Sequence, residues 1–204
     1  MCLDFLKCGE FQVRGTVRDC KNEAKIAPLR KAFGEHFSQL ELVEADLMDA
    51  ESIAKALAGS TYVIHTASPF FHPEDPNDVI KPAVDGTMAV MHACKAAKVK
   101  RCVVTSSMAS VMGMAAADKP VLADGGVYDE TCWSNPDRAE GMGGYPKSKT
   151  LAEKAAWDFQ ASLPEEERFE IVTVLPCFVM GPTLIPGGST SHGYMEGFFN
   201  GSKT

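Results

Sequence analysis

Five short strand-like runs, each separated from the next by a stretch with helical character, limit this chain more than any other feature. Residues 11–17 and 40–45 alternate apolar and polar side chains, as half-buried strands do. Residues 61–65, 101–105 and 170–175 are apolar-rich, and 101–105 reads as a strand buried on both faces of a parallel sheet. Between them, residues 3–9 read as the last turns of a helix stopped by Gly9, and 22–33 as a helix whose regularity Pro28 limits. Further helices are expected over 50–58, closed by Gly59, from Asn77 as a cap to Lys98, and from Tyr145 to about Ser162. Residues 181–204 carry turn chemistry with little core.

Strands alternating with helices call for an α/β fold, a parallel sheet with flanking helices joined by right-handed crossovers. Ligands in such sheets bind beyond the carboxyl ends of the strands. Three polar clusters fall at those ends: Arg18 and Asp19, then His65, Thr66, Ala67 and Ser68, then Thr105, Ser106 and Ser107. The connection over 108–144 is long for a compact domain, and loops of that length are usually functional.

The helix after that loop opens with YPKSK at 145–149. Residues four apart share a helix face, so the Tyr145 phenol and the Lys149 ammonium point the same way. A cation beside a phenol favours its ionised form, which suits proton transfer near neutral pH. Pro146 fits the first turn, where its missing N–H would have had no partner. Alone, a tyrosine with a lysine four residues on is a weak motif, equally a surface pair with a snorkelling lysine. Its neighbours decide.

Net charge −7 and the lack of any long Lys/Arg run argue against a nucleic-acid or membrane-surface role. No apolar run reaches the ~18 residues of a membrane span, and the N-terminus carries no basic segment followed by an apolar core. Seven cysteines, odd in number and without metal-ligand spacing, read as reduced thiols in a cytoplasmic protein; Cys102 and Cys177 sit in apolar runs as small hydrophobes. No metal site is expected.

Seven segments follow one another in order: RGTVRD at 14–19, ADL at 45–47, HTASP at 65–69, VDGT at 84–87, VKRCVVTSS at 99–107, YPKSK at 145–149 and PCFVMGP at 176–182. In these the chain resembles the extended short-chain dehydrogenase/reductases, in the dihydroflavonol reductase and cinnamoyl-CoA reductase-like branch of the NAD-dependent epimerase/dehydratase group. The resemblance implies an NADP(H)-dependent oxidoreductase acting on the carbonyl or CH–OH group of a small molecule, with the cofactor supplying the hydride. By it, Tyr145 exchanges a proton with the substrate oxygen, Ser107 hydrogen-bonds that oxygen, and Lys149 holds the nicotinamide ribose. Ser107 could instead cap a turn, with Ser106 as the other bearer of the role.

Arg18 and Lys25 match positions that contact the adenosine 2′-phosphate, which favours NADP(H) over NAD(H), though both also suit a solvated surface. Asp46 and Leu47 match adenine contacts; Thr66, Ala67 and Ser68 match contacts to the cofactor backbone; Pro176 and Val179 match residues lining the nicotinamide. His65 reads as a structural histidine.

One departure from the family is plain. No GxxGxxG or GxGxxG precedes Phe11, so the strand, glycine turn and helix N-terminus that receive a pyrophosphate are not in this sequence. The expected fold is therefore Rossmann-like but incomplete, its first and central strand missing, with residues 1–182 as a partial NAD(P)-binding domain and 183–204 as a tail or substrate-region remnant. Its unpaired strand edges would favour self-association. Two further readings stand beside the reductase: a truncated, non-catalytic chain with an interaction or regulatory role, and an epimerase/dehydratase or hydroxysteroid dehydrogenase of the same fold.

Overall fold

The structure is a computed structural model that describes residues 1–69, 74–75, 77–112, 128–138, 144–181, 183 and 190–202. The chain divides into two compact units: Met1–Ala45 with Phe178–Thr204, and Asp46–Cys177.

In the first unit, helix α1 (Cys2–Cys8) ends at Gly9, whose backbone is left-handed at φ 71°, as the sequence led us to expect. Strands β1 (Val13–Val17) and β2 (Leu40–Glu44) pair in parallel with Val13 opposite Leu40. Helix α2 (Glu23–Phe33) starts at Asn22, whose side chain accepts from Lys25 N. It runs through Pro28 without a break and forgoes the one backbone donor that proline lacks. Residues 181–204 depart from expectation, because helix α6 (Thr190–Phe199) forms among them, with Phe198 and Phe199 exposed.

The second unit holds most of the core. Helix α3 (Ala50–Leu57) is capped by Asp49, whose carboxylate accepts from Glu51 N and Ser52 N. Strands β3 (Tyr62–His65), β4 (Arg101–Thr105) and β5 (Glu170–Val174) form a parallel sheet in the order β3-β4-β5, with Val63, Cys102 and Ile171 in one row. Helices α4 (Asn77–Ala97) and α5 (Gly144–Ser162) pack on the Cys102/Val104 face, where Val79, Met91, Cys94 and Cys102 are fully buried. Apart from Leu6, Ile26 and Ala45, every buried apolar side chain among the described residues belongs to this unit.

β4 is therefore buried on one face only. Its alternation is Cys102 and Val104 inward, while Arg101 is exposed and Val103 and Thr105 are half-buried. Ile64, Val172 and Val174 on the neighbouring strands are exposed on that same face. An apolar run of five residues cannot by itself tell one covered face from two, and the two-face expectation is corrected. Of the two cysteines in apolar runs, Cys102 is buried and Cys177 is exposed; none of the seven cysteines is in a disulfide.

Among the described residues, β1 and β2 form one sheet and β3, β4 and β5 another. This is the division expected of a 3-2-1-4-5-6 sheet in which the central strand is absent.

Candidate active site

The carboxyl end of β4 and the first three turns of α5 build the site within the second unit. Tyr145 is the second residue of α5 and half-buried; Pro146 occupies the first turn and is buried. Two hydroxyls on α5 bond back to its own backbone, Ser148 Oγ donating to Tyr145 O at 2.7 Å and Thr150 Oγ1 to Pro146 O at 2.8 Å. That lets both side chains be fully buried without an orphaned polar atom.

Lys149 is 8% exposed, an unusual burial for a lysine. Its Nζ donates to Thr105 O at 3.3 Å and lies 5.9 Å from the centroid of the Tyr145 ring. The Lys149 ammonium thus lies near the Tyr145 ring, as their spacing on one helix face allows. Burial pulls the Lys149 ammonium below the usual lysine range, and the Glu153 carboxylate opposes that shift.

Ser106 and Ser107 separate cleanly. Ser106 Oγ–H donates to Glu153 Oε2, so its one proton is committed. Ser107 caps the short 3-10 turn Met108–Ser110, its Oγ accepting from Ala109 N at 3.2 Å. A hydroxyl that accepts one bond still has its proton to give, so the cap and a donor role are compatible for Ser107. Segment 128–138 is fastened beside this turn: Ser134 N donates to Ser110 O at 2.8 Å and Ser134 Oγ to Ala109 O at 2.7 Å. The rest of the expected 108–144 connection lies outside the described residues.

A small cleft of about 20 Å³, the space of one water molecule, opens beside Lys149 between His65, Ala67, Ser68, Thr87, Ser106 and Glu153. His65 is buried there. Desolvation first, and the Lys149 charge second, lower its pKa to about 4, so it is neutral at physiological pH. Thr66 and Ala67 are exposed beyond the end of β3, and Pro176 O accepts from Met108 N at 3.1 Å. Asp46 closes a turn after β2 by accepting from Met48 N at 2.9 Å. Leu47 packs onto α4 at Gly86, where a Cβ would come within 3.3 Å of Leu47 Cβ; this gives the VDGT segment its physical reason.

Arg18, Lys25 and Val179 belong to the first unit, and all three are exposed. The other candidates share the second. Glu153, Ser110 and Ser134 were not singled out from the sequence. Glu153 had a legible signal, since it follows Lys149 by four residues and Tyr145 by eight on one helix face. Ser110 and Ser134 had none.

Two features among the described residues would suit a nicotinamide cofactor. Lys149 uses one of three N–H donors on Thr105 O, and the small side chains of Ala67 and Ser68 leave room for close approach at the strand end.

Parallel sheets with flanking helices define a Rossmann-like α/β fold. The chain belongs to the 3-beta hydroxysteroid dehydrogenase/isomerase family, whose profile matches residues 1–184. It is 38% identical over 182 residues to a dihydroflavonol 4-reductase of Medicago sativa, covering 86% of this chain and 79% of that one. Among solved structures, vestitone reductase from alfalfa superposes with a TM-score of 0.70 at 31% identity, covering 93% of this chain and 56% of the other. The yeast methylglyoxal/isovaleraldehyde reductase Gre2 complexed with NADPH superposes with a TM-score of 0.72 at 30% identity, covering 89% and 55%. The chain thus spans little more than half the length of those two structures.

Proposed function

We propose that this is an NADP(H)-dependent reductase of a small-molecule ketone or aldehyde, of the dihydroflavonol reductase type. The observation that carries the reading is the buried Lys149 ammonium set 5.9 Å from the Tyr145 ring, one helical turn on from it. When bound, the cofactor supplies the hydride. Negative charge develops on the substrate oxygen as the carbonyl is reduced, and donors aimed at that oxygen lower the barrier. Tyr145 gives it a proton, Ser107 holds it with its hydroxyl proton, and Lys149 binds the nicotinamide ribose. Thr66, Ala67, Ser68 and Pro176 line the cofactor, Asp46 and Leu47 meet the adenine, and Val179 borders the nicotinamide. Seven cysteines without a disulfide suit a cytoplasmic protein, and no helix among the described residues is long and apolar enough to cross a membrane.

The test is NADPH oxidation coupled to reduction of a panel of ketones and aldehydes, dihydroflavonols included. NADPH preference rests on Arg18 and Lys25, whose charges suit a 2′-phosphate. Arg18→Ala is expected to weaken NADPH binding about tenfold or more and NADH little, since hydrogen bonds to charged groups contribute about 1.5–3 kcal/mol. Equal loss for both cofactors in a fluorescence titration would overturn the 2′-phosphate assignment.

One observation favours a second reading, a non-catalytic chain that acts through association. Among the described residues β1 pairs with β2 alone and β3 with β4 alone, which leaves strand edges open. Folded protein that binds neither cofactor would support it.

A further inference from the structure

Glu153 is 4% exposed, and a carboxylate buried that far needs hydrogen bonds and a countercharge. Its Oε2 accepts from Ser106 Oγ and, at 2.7 Å, from Ser110 Oγ. These serines lie on either side of Ser107. Ser110 Oγ is also 2.8 Å from Ser107 O and 3.3 Å from Ser106 Oγ, so its single proton serves either Glu153 or the Ser107 carbonyl. The result is a buried knot tying α5 to the turn that follows β4. Lys149 sits one helical turn before Glu153, and the two line the same cleft without a direct ion pair among the described residues.

We propose that Glu153 is a positioning residue of this site: it clamps the Ser106–Ser110 turn to α5, which fixes Ser107, and supplies the buried countercharge to the Lys149 ammonium. The proposal deepens the reductase reading and rests on it for its catalytic consequence.

Three titratable groups line the cleft: Lys149 and Glu153 from α5 and His65 from the end of β3. α4 contributes Thr87, which carries no charge, and β4 with its following turn contributes Val104, Thr105 and Ser106. His65 is neutral above about pH 4, so among the described residues lining the cleft Glu153 is the one negative charge that favours protonated Lys149 at neutral pH. Taking that charge away lets Lys149 lose its proton at lower pH.

The experiment follows the Lys149 side chain by NMR in selectively ¹³C-labelled, cofactor-free protein, comparing wild type with Glu153→Gln. Glutamine keeps the shape and an acceptor for the serines but not the charge. The Lys149 titration midpoint is expected to fall by about one pH unit, a tenfold change in proton affinity. The alkaline limb of the kcat/KM profile should fall by the same amount. A glutamate with only a structural role would lower the thermal midpoint and leave the Lys149 titration in place, and that result overturns the proposal. Glu153→Leu, an apolar residue of similar volume that brings no buried charge, is read in the same way should the glutamine variant not fold. Wild-type protein without reductase activity whose Lys149 midpoint still moves with Glu153 would remove the functional reading and leave the electrostatic coupling standing.

Discussion

Tyr145→Phe is expected to lower NADPH-linked carbonyl reduction by about 10²- to 10⁴-fold, the usual range for removing a general acid. Phenylalanine keeps the ring against which Lys149 sits and deletes only the hydroxyl. KM and cofactor binding should therefore change little, and the loss should fall on kcat. Because Tyr145 is half-buried at the start of α5, the thermal midpoint should stay within a few degrees. Steady-state kinetics on the purified variant, with a thermal melt beside it, checks both halves. Activity retained within a few-fold would mean that another group delivers the proton. Ser107→Ala should then be examined for the same loss, since its hydroxyl has the remaining free proton at this turn.

Acid lability is the second large effect. His65 has a folded-state pKa near 4 against an ordinary value of 6.5, because burial and the Lys149 charge both disfavour its protonated form. The unfolded chain therefore takes up a proton at this site that the folded chain refuses between about pH 6.5 and pH 4. Stability is full above about pH 6.5 and declines as pH falls through that window, by on the order of 3 kcal/mol in all. Urea unfolding at a series of pH values gives the curve, and His65→Gln should lose that part of it while the carboxylate-driven loss below about pH 4 persists. Identical pH dependence in wild type and variant would contradict the buried, neutral histidine.

Much of this fold was legible because periodicity and punctuation agreed. Gly9 and Gly59 close α1 and α3 with left-handed backbones, at φ 71° and 74°, where glycine costs nothing. Alternation in 40–45 and the apolar runs at 61–65, 101–105 and 170–175 fall on strands, and the split into two sheets follows from a strand order that lacks its centre. What one residue run cannot encode is what covers it. Arg101–Thr105 reads the same whether one or both faces are packed, and only the tertiary placement of α4 and α5 showed that one is. Helix α6 was missed for a related reason, since its Gly and Ser content speaks for turns and its apolar residues are largely exposed.

The candidate site was legible to a similar depth. Helical spacing put Tyr145 and Lys149 on one face, the ordered segments around them gave that pair its weight, and the Ser106/Ser107 ambiguity could be stated but not resolved. Glu153, forty-six residues from Ser107 in the chain, accepts the proton of Ser106 and so bears on that choice. Long-range hydrogen bonds of that kind leave no local trace in a sequence. Arg18 and Lys25, in contrast, are exposed cations in the first unit, and their role depends on a ligand.

The central claim is that this polypeptide is built to work with NADP(H). Its most direct test is a titration of the purified 204-residue chain with NADPH and with NADH, following cofactor fluorescence and the thermal midpoint together. The account predicts saturable NADPH binding, tighter than NADH, with stabilisation that grows with ligand and reaches about 2.7 kcal/mol at a hundred times Kd. A folded chain that gives neither a fluorescence change nor a shift in midpoint with either cofactor would contradict it.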